Sequence, residues 1–155
     1  MSNQTSVVYI VTRSPDGELF IPLGYRTKHW EKKNGVAAGK LEKGETFAQA
    51  AMRETCEEMH GLIIQEENLV PILKDVDTWE DKTFTAQIYA TFVPWQALEN
   101  RVFGKRDVDS SGMAGWHPAS VSIVEEHAHN DEMAFNTGKI FLTHREKILS
   151  VAPSV

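Results

Sequence analysis

The segment 46–61, TFAQAAMRETCEEMHG, limits what this chain can fold into more than any other. Thr46 followed by Gln49 makes a capping-box pattern, so a helix should begin there, and Gly61 is its natural stop. Read at 3.6 residues per turn, Ala48, Met52, Thr55, Cys56 and Met59 gather on one side and Glu54, Glu57 and Glu58 on the other. The three glutamates stand at i, i+3 and i+4, so their carboxylates share one helical face. Like charges at that spacing repel, and the helix gains nothing from them. A divalent cation would remove the repulsion, and hard carboxylate oxygens suit Mg²⁺ or Mn²⁺. The expectation is a helix that packs Met52, Cys56 and Met59 on a core and turns its carboxylates toward a cleft. Arg53 is within reach of Glu45 or Glu57 and could lock the preceding loop to the helix with bidentate bonds.

The wider stretch 39–62 resembles the Nudix box, G-x5-E-x7-R-E-U-x-E-E-x-G-U, where U is a bulky aliphatic. Gly39, Glu45, Arg53, Glu54, Glu57 and Glu58 match in register. Thr55 stands where an aliphatic is usual. His60 takes the place of the last glycine, and Gly61 and Leu62 follow one residue late, which reads as a one-residue insertion in the turn closing the helix. Ala37-Ala38-Gly39 replaces the usual Pro-Gly-Gly. The resemblance implies an α/β/α sandwich around a mixed sheet and hydrolysis of a nucleoside diphosphate linked to another group. It implies Glu54, Glu57 and Glu58 as catalytic metal ligands for Mg²⁺ or Mn²⁺, joined by the Gly39 carbonyl. Glu45 and Arg53 become the structural pair that shapes the loop. The general base is left open among these glutamates and a later loop carboxylate, for which Asp107, Asp109, Glu125 and Glu126 are candidates.

The rest of the chain fits a mixed α/β domain. Residues 7–12 are β-branched and aromatic and read as a strand; Pro15-Asp16-Gly17 turns the chain into a return strand over residues 18–25. Residues 35–39 form a short strand or bend, and residues 69–76 and 83–93 are longer strands. Residues 94–112 read as irregular, residues 113–116 as a short strand, and residues 118–126 as a short helix with Pro118 in its first turn. Residues 133–150 should form a helix with Ile140, Phe141, His144 and Ile148 inward and Lys139 and Glu146 outward. Neither repeat nor linker divides residues 1–155, so one domain is expected.

Three residues are candidates for holding substrate. Trp116 falls where many Nudix members carry an aromatic, and Asn130 and Asp131 fall where MutT-like triphosphatases place base-recognising polar groups. The resemblance therefore favours a nucleoside triphosphate, cleaved to monophosphate and pyrophosphate. ADP-ribose, a nucleotide sugar or a dinucleoside polyphosphate is the enzymatic alternative, although the arrays associated with NADH, ADP-ribose and dinucleoside polyphosphate hydrolases are missing. A non-catalytic nucleotide-binding regulator is the other, opposed by the full set of box carboxylates. Trp30, Trp79 and Trp95 read better as packing, and His127, His129 and Asp131 better as surface or capping groups than as a zinc site.

Charge and cysteine usage set the partners. The net charge of −6 makes the chain a poor candidate for gripping long nucleic acid, while one nucleotide remains accessible through a metal that reverses the local sign. The lone cysteine, Cys56, excludes an internal disulfide and reads as an inert buried thiol; it fits a cytoplasmic location. The start MSNQTS carries no signal-peptide pattern and no run approaches a membrane span. A homodimer is compatible with the sequence.

Overall fold

The computed structural model of the chain describes residues 3–27, 33–104 and 113–154. Trp30, Asp107 and Asp109 lie outside the described residues, as does the side chain of Trp79. The centre of the molecule is β1 (Gln4–Arg13), a strand apolar on both faces. Period-two alternation divides it. Val7, Tyr9 and Val11 enter a core with Leu23, Ile88 and Phe141, while Val8 and Ile10 enter a second core with Met59, Leu98 and Trp116. A strand that feeds two cores must be covered on both sides by helices, and this one is.

The hairpin partner β2 (Leu19–Arg26) meets the end of β1 through Thr12 and Phe20. Two short strands follow, β3 (Asn34–Gly35) and β4 (Ala37–Lys40). Later come β5 (Val70–Trp79), β6 (Lys82–Phe92) and β7 (Met113–Ser120). Among the described residues these make one seven-stranded mixed sheet. β1 lies parallel to β6 and antiparallel to β4, which puts Val7 between Ile88 and Ala38. β2 pairs with β3 and β7, and β5 pairs with β6.

One face of the sheet carries α1 (Phe47–Glu58) and α2 (Trp95–Arg101); the other carries α3 (Val121–His129) and α4 (Thr137–Leu149). The α/β/α sandwich is therefore as expected. Most of the inward stripe of α4 is as expected, with Ile140, Phe141 and Ile148 buried and Lys139 and Glu146 exposed, but His144 is only partly buried at a kink and the helix starts at Thr137 rather than at residue 133.

Two readings of elements are corrected. Residues 95–101 are helical, not irregular: Leu98 and Val102 are fully buried one turn apart and anchor α2 on the sheet. Pro118 belongs to β7, opposite Pro22, and the helix starts three residues later, where Ser120 accepts from the Ile123 amide. β7 pairs only with β2 among the described strands, and a strand edge tolerates proline because no ladder donor is needed there.

Candidate active site

The site is built where α1 crosses β4. The capping box forms as the sequence predicts: the Gln49 amide donates to Thr46 Oγ1 at 3.1 Å and the Thr46 amide to Gln49 Oε1 at 3.0 Å. This fixes where α1 begins, and so which residues face β4. The inward face is Ala50, Ala51, Thr55, Glu58 and Met59; Met52 and Cys56 are only partly buried. The acidic face is thus not wholly turned to solvent. Glu57 is exposed, Glu54 half-buried, and Glu58 lies 2% exposed beneath them. Cys56 is a partly exposed thiol rather than the buried one expected.

Gly39 shows why the box needs a glycine. A Cβ there would lie 2.0 Å from Glu54 Cδ, inside any van der Waals contact, so Glu54 occupies the space a side chain would fill. The next strand residue back, Ala38, donates its amide to Glu58 Oε1 at 3.3 Å. Both carboxylates are therefore held against β4.

Arg53 binds the loop to the helix. Its Nε donates to Glu45 Oε2 at 2.7 Å and its Nη2 to Glu45 Oε1 at 3.0 Å, a bidentate pair. The same guanidinium donates to the Lys40 carbonyl at 2.9 Å, to Glu54 at 2.7 Å and to Glu57 at 3.3 Å. The hydrogen bonds from Arg53 hold the Glu45 carboxyl below its ordinary range, and those to Glu45 and Glu54 raise Arg53 further. Glu58 goes the other way. Burial pushes its carboxyl up to about 10, and a side-chain hydrogen bond with Glu54 adds to the shift. A carboxyl raised this far favours its neutral form at neutral pH.

Among the described residues no three histidine, cysteine or carboxylate groups stand in metal-holding geometry. The donors are nonetheless hard oxygens, and the carboxylates of Glu54 and Glu58 are packed together against β4. Glu54, Glu57, Glu58 and the Gly39 carbonyl fit a divalent cation in chemistry, and would hold it beside Arg53.

Gly39 also lines a cleft of about 440 Å³ on the other side of β4. Lys40 and Arg26 supply cationic walls, Asp75 and Phe84 come from the β5–β6 pair, and Phe135 and Asn136 come from the α3–α4 junction. The expected substrate residues do not line it. Trp116 is 2% exposed and its Nε1 donates to the Glu58 carbonyl at 2.8 Å, so it buttresses the end of α1 from within the core. Asn130 caps the end of α3, and Asp131 is exposed and paired with Lys33 at 3.5 Å. Glu125 and Glu126 lie on α3, across the sheet from α1, and Glu125 is taken by Arg145 at 2.5 Å. Phe135 and Asn136, which do line the cleft, lie five residues beyond Asn130-Asp131. An asparagine just ahead of the last helix was the available signal.

A family model described as the NUDIX domain matches residues 3–134. No curated protein matches the chain significantly. Solved structures share the fold at low identity. The NUDIX domain of Shewanella oneidensis NrtR, complexed with ADP ribose, superposes with TM-score 0.71 at 12% identity, over 95% of this chain and 88% of that one. A Caenorhabditis elegans Ap4A hydrolase binary complex gives 0.65 at 17%, over 95% and 97%. A MutT/nudix family protein from Enterococcus faecalis gives 0.59 at 16%, over 76% of this chain. The chain spans only 43% of that protein's length, and 62% of NrtR with its further residues.

Proposed function

The chain belongs to the Nudix family, and from that premise we propose a divalent-metal-dependent pyrophosphohydrolase acting on a nucleoside diphosphate-linked substrate. One observation carries the reading: Gly39, packed on Glu54 at one side of β4, lines the cleft at the other. A bound polyphosphate would then reach the carboxylates while its nucleoside fills the cleft. Family members generally use a divalent metal. Mg²⁺ or Mn²⁺, when bound, supplies charge neutralisation and an acidified water. Glu54, Glu57 and Glu58 would hold it. Arg53 and Glu45 fix the loop that follows Lys40 at the end of β4, and Lys40 and Arg26 offset phosphate charge along the cleft.

The preferred substrate is a nucleoside triphosphate, cleaved to monophosphate and pyrophosphate. Asn136 lines the cleft, and its side-chain amide, with both a donor and an acceptor, could read a purine edge, the part first assigned to Asn130 and Asp131. The likeness to an ADP-ribose complex and an Ap4A hydrolase keeps ADP-ribose and dinucleoside polyphosphates as the second reading. A nucleotide-binding regulator without turnover is the third.

The test is product analysis with Mg²⁺ or Mn²⁺ across triphosphates, ADP-ribose, nucleotide sugars and dinucleoside polyphosphates. Glu57→Gln should lower kcat by about 100-fold or more, since it removes a ligand charge, while the fold survives because Glu57 is exposed. A kcat like wild type in that variant would overturn the site. Tight nucleotide binding without turnover would favour the regulator.

A further inference from the structure

The sheet lays one row of residues across the floor of the cleft. Lys40 on β4 stands opposite Thr5 on β1, Thr5 beside Ala86 on β6, and Ala86 opposite Asp75 on β5. Residues in register project from the same face of a sheet, and all four line the cleft. The row therefore has a cation at one end, a carboxylate at the other and small side chains between. Neighbouring strands lie about 4.8 Å apart, so three steps separate the Lys40 and Asp75 backbones by roughly 14 Å. Among the described residues neither side chain enters a hydrogen bond or an ion pair. Asp77, one row further out, is exposed and turns its Oδ1 to the Thr78 amide at 2.9 Å. Asp75 is half-buried and keeps both oxygens for the cleft. An ionised carboxylate only accepts, so whatever meets it must bring N–H or O–H donors and no negative charge. The phosphates belong at the other end, where Lys40 follows Gly39 and its packing on Glu54.

We propose that Asp75 is the residue that chooses the substrate's base, and that the base it chooses is guanine. The proposal rests on the nucleotide reading above and adds a specificity-determining residue to it. Guanine carries its N1–H and its 2-amino group side by side, two donors that match the two oxygens of one carboxylate. Adenine turns the N1 lone pair to the same place, which a carboxylate repels. An extended guanosine diphosphate group is about as long as the row, so one molecule meets Lys40 with its phosphates and Asp75 with its base.

The experiment measures binding of the guanosine, inosine, xanthosine and adenosine monophosphates to the Mg²⁺-supplemented protein by calorimetry. Hypoxanthine, the base of inosine, lacks only guanine's 2-amino group, and xanthine has a carbonyl in its place. Wild type should bind the guanosine form about 10-fold tighter than the inosine form, the worth of a bidentate base contact. In Asp75→Asn one acceptor stays and a donor is gained. The guanosine form should then weaken about 10-fold and the xanthosine form should overtake it. Removing a negative charge would by itself tighten every phosphate, so a loss confined to guanosine is not a charge effect. A gain for xanthosine is not misfolding either. Lys40→Gln should weaken all four alike. The proposal is overturned if wild type binds the guanosine and inosine forms equally. It is also overturned if Asp75→Asn leaves guanosine unchanged or weakens all four together. Failure of wild type to bind any of the four, with no turnover of triphosphates, would sink the nucleotide reading as well. Turnover of GTP and ITP with equal kcat/KM would sink the role of Asp75 alone.

Discussion

A carboxyl with Glu58's burial titrates far from its solution value, and this has a consequence for stability. In the metal-free chain its proton is held up to about pH 10, whereas the unfolded chain releases it near the ordinary value of 4.5. Between those two values the folded state binds more protons than the unfolded state, so stability falls as pH rises. Metal-free protein should therefore lose Tm steadily between about pH 6 and pH 9. Glu58→Gln, neutral at every pH, should flatten that slope and abolish turnover. An unchanged slope in the variant, read by thermal melts in chelator, would show that Glu58 is not the group responsible. The sequence identified Glu58 as acidic and on the right helix, but not as buried. Nothing in the one-dimensional spacing separates it from Glu57, because the difference is made by β4, which covers Glu58 through the Ala38 amide and leaves Glu57 open. Trp116 was misread for the same reason. An aromatic near the end of the chain can stack on a ligand or fill a core, and only the packing against Glu58 decides.

The ends of α1 show both what local chemistry can specify and where it stops. The N-terminus was legible because a capping box is a short-range device, complete within residues 46–49. The C-terminus was legible as a departure: an extra residue precedes Gly61. In the structure the helix ends at Met59, and the Gly61 amide donates to the Cys56 carbonyl at 2.8 Å. His60 sits between them at φ +54°, the left-handed position where helices prefer glycine. His60→Gly should accordingly stabilise the fold by about 1 kcal/mol, or about 2–4 °C in Tm for a domain of this size. It restores glycine at the position where the box has one. A Tm at or below wild type would mean that the His60 side chain makes contacts worth more than its backbone strain. Helix α2 escaped notice because its apolar signal is a single i, i+4 pair, Leu98 and Val102, too brief to establish a period.

At the scale of the whole molecule, the question is whether the metal site holds the fold together or the fold holds the site. β1 feeds two cores from opposite faces, with helices closing each, and both cores are built of apolar side chains packed on one another. No helix among the described residues is long and apolar enough to cross a membrane. The carboxylates lie at one edge of the second core, above Met59 and Trp116. Without metal they are already partly neutralised, by Arg53 at Glu54 and Glu57 and by the retained proton at Glu58. A chain arranged this way should survive metal removal, unlike small domains whose folding energy is their metal affinity. Chelation should thus abolish turnover while the far-UV circular dichroism spectrum stays unchanged. Returning Mg²⁺ should restore activity and raise Tm with concentration, since binding to the native state alone adds RT ln(1 + [Mg²⁺]/Kd). The rise should be larger at higher pH, where no proton competes for Glu58. Unfolding on chelation would make the cation a structural element and Arg53 an inadequate substitute for it. A Tm indifferent to Mg²⁺ would place the cation elsewhere, or nowhere, on this chain.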